Sequence, residues 1–299
     1  MRRFAAETAV PGSRVLPLST QAELAEERLD LETIELQLLL EGVYRQYGFD
    51  FREYAHASLR RRVWRRVRAE RLDTISALTD RVLHNPEVME RLLVDLSINV
   101  TAMFRDPTFF LAFRENVVPL LRTYPFTRIW VAGCSTGEEV YSLAILLQEE
   151  GLYDRTRIYA TDINQAVLER ARAGVFPLDK MQEYTENYIG AGGTRSFSEY
   201  FFAKYEGALF NRELTANVVW APHNLGQDGS FNSFHVILCR NVMIYFDRSL
   251  QTRVHKLFHD SLERLGVLAL GRKETVRFSG FEQYYEDLDP AEKIYRKVR

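Results

Sequence analysis

Cysteine is scarce: two residues in a chain of 299. A disulfide framework is excluded, and Cys134 and Cys239 show no metal-ligand spacing. Each falls at the end of an apolar run and reads as a small, reduced packing thiol of a cytoplasmic protein. Long apolar runs are absent too, so no transmembrane helix or membrane insertion is expected. The first residues, Met1 to Glu7, carry charge where a signal peptide would have its apolar segment, so none is expected. Net charge is nearly absent, a formal −2, and by itself points to no partner. His255 and His259 are four apart on an expected helix but lack a third ligand, so no metal is expected. There is no P-loop and no nucleophile–histidine–acid triad. Hydrophobic content, at 46%, is that of an ordinary soluble globular protein.

The chain divides by pattern. Residues up to about 22 carry Pro11, Gly12 and Pro17 with little periodicity and read as a loose tail. From Leu29 to Gly48, the residues Leu31, Ile34, Leu38, Val43 and Tyr44 fall near helical spacing. Phe51 to Glu70 reads as a second helix. Asp73 is the expected N-cap of a third, and Asn85-Pro86 opens a fourth that runs to Ser97. Beyond this, apolar strands alternate with helices: Ile129–Ala132, Ile158–Ala160, Val236–Cys239 and Gly266–Gly271, with helices from Glu138, Asn164 and Arg248. Such alternation predicts an α/β fold with a parallel sheet covered on both faces. Between the second and third strands, Lys180 to His223 reads as a small antiparallel insertion, with strand-like Phe201–Tyr205 and Asn217–Trp220. Glu282 to Val298 supplies the last antiparallel strands.

The most informative segment runs from Val131 to Tyr141, Val-Ala-Gly-Cys-Ser-Thr-Gly-Glu-Glu-Val-Tyr. Strand, small-residue turn and helix bring the backbone close to a nucleotide-like ligand. Gly133 and Gly137 remove side chains there. Glu138 and Glu139 suit the positive end of a helix but would repel a pyrophosphate. A cationic, hydroxyl-rich ligand fits better, and S-adenosylmethionine is such a ligand. Asp162 ends the second strand, where an acid hydrogen-bonds a ribose diol; its bland reading is a cap for the next helix. Arg240, Asn241 and Tyr245 crowd the carboxyl end of the third strand. Asn99-Val-Thr-Ala-Met-Phe-Arg105 at the domain junction reads either as a linker or as a lid. In Leu59 to Arg68, the apolar stripe Leu59, Val63 and Val67 leaves Arg60, Arg61, Arg62, Arg65, Arg66 and Arg68 to cover the remaining surface. Arginine forks suit carboxylates or phosphates, so an acidic protein surface and a nucleic-acid backbone both remain candidates.

Together these motifs resemble the CheR-type chemotaxis receptor methyltransferases, from about Leu31 to near the C-terminus. The resemblance rests on Asn-Val-Thr-Ala-Met-Phe-Arg at 99–105, Ser-Thr-Gly-Glu-Glu at 135–139 and Ala-Thr-Asp-Ile at 160–163. Asn224-Leu225 and Cys-Arg-Asn-Val-Met-Ile-Tyr-Phe at 239–246 complete it. It implies a small all-α N-terminal domain (23–90), a linker (91–100) and a Rossmann-like methyltransferase domain (101–299). A β-subdomain would be inserted at about 186–222. The implied activity is transfer of a methyl group from S-adenosylmethionine to receptor glutamates, leaving S-adenosylhomocysteine. Asn99, Thr101, Arg105, Glu139, Asp162, Asn224, Leu225, Arg240 and Asn241 are the implied cofactor contacts, beside the glycine turn at Gly133. Arg105 and Tyr245 are implied near the transferred methyl, and the arginine helix is implied to face the receptor helices. A monomer is expected. The sequence departs from the family at His235, where an aspartate is common, and at Gly271-Arg-Lys-Glu274, which replaces Gly-His-Ser-Glu. Two rivals stay open: a cofactor- or signal-binding regulatory module without turnover, and a nucleic-acid methyltransferase. Against the second, no Asn/Asp-Pro-Pro-Tyr/Phe motif follows the third strand, so no nucleic-acid partner is expected.

Overall fold

The computed structural model describes residues 21–97, 101–204 and 207–299. Four helices come first: α1 (Gln21–Tyr47), α2 (His56–Ala69), α3 (Ile75–His84) and α4 (Pro86–Leu96). The apolar stripe of α2 is buried as its spacing predicts, with Leu59, Val63 and Val67 at most 1% exposed. On α1 the sequence carries two apolar stripes, and the inward one is Leu36, Leu39, Leu40 and Val43. Leu31, Ile34 and Leu38 face outward instead; helical spacing alone does not say which stripe finds a partner. Two helix starts also differ from expectation. Residues 51–55 are not helical, and α2 begins at His56. Thr74, not Asp73, caps α3 by accepting from the Ala77 amide. Asn85 caps α4 with Pro86 in its first turn, as expected. Helix α4 continues to Leu96, through most of the expected linker.

After α5 (Pro107–Asn116) and α6 (Val118–Leu121) the α/β part begins. It comprises β1 (Thr127–Ala132), α7 (Glu138–Glu149), β2 (Thr156–Asp162), α8 (Gln165–Ala173), β3 (Val175–Pro177), α9 (Met181–Gly190), β4 (Phe201–Lys204), β5 (Gly207–Phe210), β6 (Val218–Pro222), β7 (Phe234–Cys239), α10 (Arg248–Ser261), β8 (Leu262–Leu270), β9 (Tyr285–Asp289) and β10 (Ile294–Lys297). The main sheet has the order β6-β2-β1-β7-β8-β10-β9. Its first five strands are parallel and the last two antiparallel. The central strands are near-continuous apolar runs because helices cover both faces. In β1, Ile129 and Val131 enter one core layer and Trp130 the other, as strand alternation requires. The chain order turns back between β1 and β7, which opens a crevice at the carboxyl ends of these strands.

The antiparallel insertion is a separate sheet of order β3-β5-β4. It differs from the sequence reading in two ways. Its edge strand Val175–Pro177 lies before the expected insertion. The strand read at Asn217–Trp220 is β6, which joins the main sheet parallel to β2. A five-residue strand after an antiparallel pair looks alike in either place; only β2's open edge decides.

The helical part docks on the sheet's carboxyl edge through backbone as well as side chains. The Ala55 amide donates to the Tyr245 carbonyl at 2.8 Å, and the Asp247 amide to the Glu53 carbonyl at 2.8 Å. Tyr54 packs edge-on against both Phe51 and Phe246. Asn164 Nδ2 donates to Ser97 Oγ at 3.1 Å.

His255 on α10 is 3% exposed, and burial lowers its pKa from 6.5 to about 4. The unfolded chain therefore takes up a proton first as pH falls. Stability is full above about pH 6.5 and is lost toward pH 4, by about 3 kcal/mol from this residue. Urea melts at pH 7 and pH 4.5 should show a smaller loss in His255→Gln than in the parent; an equal loss removes His255 as the cause.

Candidate functional site

The turn after β1 is shaped by its glycines. The amides of Gly133 and Cys134 both donate to the Thr161 carbonyl, at 2.8 and 2.9 Å, tying the turn to β2. Gly133 has φ +74°, and a Cβ there would lie 2.6 Å from a Val242 methyl. Gly137, at φ +96°, caps α7, and a Cβ there would meet Ala171 at 2.9 Å. Asp162 braces the same turn: its carboxylate accepts from the Ser135 amide at 2.9 Å and the Asn164 amide at 3.0 Å. Burial pushes the Asp162 pKa up, and these amides oppose the shift. A carboxylate offers about four acceptor positions, so capacity remains for a donor in the cleft. The two glutamates that open α7 part company. Glu138 is buried and accepts from Thr136 Oγ1. Glu139 faces the cleft and pairs with Arg240 at 2.8 Å.

Arg240, at the end of β7, is the electrostatic hub. Its guanidinium side chain is 1% exposed, pairs with Asp106 and Glu139 at 2.8 Å each, and lies 3.9 Å from the Phe109 ring centroid. It thus holds Glu139 against the cleft wall. Asn241 follows in a left-handed conformation, φ 61°. Its turn is organised by Glu274, whose carboxylate accepts from the amides of Asn241 and Val242 at 2.9 Å, Ile244 at 3.3 Å and Gly271 at 2.6 Å. In the sequence Glu274 stands out only as part of a departing tetrapeptide. Its signal was an acid closely following the apolar β8 and Gly271.

These elements surround an open cleft at the carboxyl edge of the sheet. Every expected cofactor or catalytic residue among the described residues lines it: Thr101, Arg105, Gly133, Glu139, Asp162, Asn224, Leu225, Arg240, Asn241 and Tyr245. Asn99 lies outside the described residues. The segment Thr101–Arg105 is anchored rather than loose, since Met103 and Phe104 are fully buried and the Phe104 amide donates to Ser142 Oγ at 2.8 Å. Sequence reasoning missed the wall given by the helical part: Phe51, Tyr54, Leu96 and Ser97. It also missed Ile163, His223 and Phe246. Position in the chain gave no sign that a helical domain would close a cleft at the sheet edge.

The arginine helix is less uniform than its sequence. Arg60, Arg61, Arg65 and Arg68 are exposed. Arg62 is 8% exposed, donates to the Leu96 carbonyl at 2.7 Å and lies 5.0 Å from the Tyr245 ring centroid. Arg66 is tied to Asp95 at 2.5 Å and Glu70 at 3.2 Å. Arg65, though exposed, also pairs with Asp95 at 2.5 Å, so the expectation that all six cover free surface fails for these three, because α4 supplies acceptors on that side. The two sequence departures are also placed. His235 Nδ1 accepts from the Arg128 amide at 3.1 Å, outside the cleft, and Arg272 pairs with Glu292. The described residues hold no His/Cys/Asp/Glu group suited to a metal ion.

Two acidic side chains, a close-approach glycine and an apolar wall suit a ligand with hydroxyls, an amine and a positive centre. S-adenosylmethionine fits such a lining, and Asp162 is expected to accept from a ribose diol. Asp162→Ala should weaken S-adenosylhomocysteine binding by about 1–3 kcal/mol, the cost of a lost buried hydrogen-bond partner. Unchanged affinity by calorimetry would remove the ribose assignment.

Comparison with known proteins shows the family. The family model described as CheR methyltransferase, SAM binding domain, matches residues 99–291. The model described as CheR methyltransferase, all-alpha domain, matches residues 34–97. The chain is 50% identical over 264 residues to the "Putative methyltransferase Cher3" of Pseudomonas putida, covering 88% of this chain and 97% of that protein. It is 30% identical over 259 residues to the "Chemotaxis protein methyltransferase" of Salmonella typhimurium, covering 83% and 86%. Against the protein of that name from Escherichia coli it is 29% identical over 269 residues, covering 87% and 90%. The chain belongs to the CheR methyltransferase family, with an all-α domain ahead of a Rossmann-like domain that binds S-adenosylmethionine and transfers its methyl group.

Proposed function

We propose that the acceptor is the side-chain carboxylate of glutamates on methyl-accepting chemotaxis or chemosensory-like receptors, giving glutamate methyl esters and S-adenosylhomocysteine. One observation carries this reading: the acids that line the cleft are already engaged and the one basic imidazole nitrogen in its wall, His223 Nδ1, is buried away from it, while Arg105 and Tyr245 also line the cleft. Glu139 is paired with Arg240, Asp162 is held by backbone amides, and His223 donates Nε2–H to the Gly229 carbonyl at 3.2 Å while its Nδ1 is buried without a partner among the described residues. An amine or hydroxyl acceptor would need a base there. A carboxylate does not, being ionised at neutral pH.

Bound S-adenosylmethionine supplies an electrophilic methyl carbon on its sulfonium. Thr101, Gly133, Glu139, Asp162, Asn224, Leu225 and Asn241 hold it in this reading, with Asn99 an expected further contact. Arg105 and Tyr245 orient the acceptor carboxylate toward the methyl, and alignment of this kind accounts for several kcal/mol of a barrier, on the order of 7 at least when ideal. Tyr54, Phe51 and Phe246 keep water from the carboxylate. The exposed Arg60, Arg61, Arg65 and Arg68 face the acidic receptor helices, while Arg62 and Arg66 hold the helix that carries them. No helix among the described residues is long and apolar enough to cross a membrane, so the enzyme reaches its receptor by docking, as a monomer in this reading.

Incubation with labelled S-adenosylmethionine and receptor-containing membranes tests the proposal. A base-labile methyl on a receptor-sized band is expected; a base-stable label would rule out a carboxylate acceptor.

A further inference from the structure

A second cavity lies on the same carboxyl edge of the sheet, one strand along from the cofactor cleft. It is formed by the start of α10 and the loop after β8. Its wall nearest the cleft is Met243 and Ile244, the two residues before Tyr245. Arg248, Lys273 and Arg277 surround it. All three are exposed, and none forms a salt bridge among the described residues. The one carboxylate in the lining, Glu274, is already bound by four backbone amides. His255 also lines the cavity; it is 3% exposed, and its buried Nδ1 has no hydrogen-bond partner among the described residues. At the rim Phe278 stands 91% exposed with φ 65°, a conformation unusual for an aromatic residue.

Three exposed cations without a salt-bridge partner among the described residues, around a cavity whose one carboxylate is already saturated by amides, describe a site for an oxyanion. Its position says which one. Tyr245 has Arg62 of α2 over its ring, and the two residues that precede it, Met243 and Ile244, line this cavity. A chain segment that presents a carboxylate at Tyr245 therefore has this cavity within reach of its neighbouring residues. We infer that the cavity bounded by Arg248, Lys273 and Arg277 is an acceptor subsite, which binds a second carboxylate of the acidic protein segment being methylated. The inference rests on the proposed acceptor. Phe278 then covers the apolar stem of the docked segment. The subsite selects glutamates that have an acidic neighbour, and it does so without touching the methyl donor.

The test uses the full chain and the double variant Lys273→Gln/Arg277→Gln, neither residue being buried or part of the cofactor cleft. Two readouts are needed: receptor methylation kinetics, and anisotropy of a labelled glutamate-rich helical peptide. Loss of two exposed charge contacts should raise the receptor KM and the peptide Kd about tenfold. The kcat and S-adenosylhomocysteine affinity should stay at parent values, and the salt dependence of kcat/KM should flatten. Unchanged KM and peptide Kd in the double variant would overturn the subsite while leaving the proposed reaction intact. If the parent transfers no methyl to receptor yet binds the peptide in a Lys273- and Arg277-dependent way, the subsite stands and the proposed acceptor falls. If inorganic phosphate competes with the peptide no better in the parent than in the double variant, the cavity is not an oxyanion site and the inference also fails.

Discussion

Arg240→Met should destabilise the protein by about 3–5 kcal/mol and abolish measurable S-adenosylhomocysteine binding. Breaking a buried ion pair by removing one partner leaves the other charge uncompensated, and that penalty sets the magnitude. Here two carboxylates lose their cation at once: Asp106 at the start of α5 and Glu139 in the first turn of α7. Methionine fills much of the volume against Phe109 but offers neither fork nor charge. Glu139 would then swing to water or repel Asp106, and the cleft wall would open. Calorimetric melting and ligand titration check this. Adding Glu139→Gln to the variant should restore part of the stability and none of the binding. An unchanged melting temperature in Arg240→Met would mean that the pairs are not stabilising and that Glu139 is held by other contacts.

Tyr245→Phe should leave fold and cofactor affinity at parent levels while kcat falls about 10²-fold, the scale for losing one positioned donor at a reacting group. The ring itself stays packed, because it is the backbone of Tyr245 that accepts from Ala55 and the aromatic face that meets Arg62. Only the hydroxyl is removed. A variant that methylates receptor at the parent rate would leave Tyr245 as packing between domains and nothing more.

Much of this site is legible in the chain because its parts are short and local. Val131–Tyr141 reads as strand, turn and helix, and Gly133 and Gly137 are glycine for reasons the structure makes explicit: left-handed φ and no room for a Cβ. Asp162 and Asn241 fall at strand ends, where polar residues after an apolar run are conspicuous. What stayed hidden depends on partners far away in sequence. Glu274 organises the Asn241 turn from thirty-odd residues downstream, through backbone amides that have no signature of their own. The inward turn of Arg62 and Arg66 follows from the Leu96 carbonyl and Asp95 on another helix. The outward face of Leu31, Ile34 and Leu38 follows from the choice between two stripes of equal period. The placement of β6 beside β2 is a matter of open sheet edges, which hydropathy does not record.

The central claim is the chemical identity of the atom that receives the methyl, and peptide mapping by mass spectrometry tests it most directly. Receptor methylated by the parent protein should be digested with and without prior base treatment, and the added methyl located by fragmentation. The account predicts methyl on glutamate side-chain carboxylates, removed by base and absent when the Tyr245→Phe protein is used for the same brief incubation. Methyl found on a lysine, arginine or N-terminal nitrogen, and resistant to base, would contradict it.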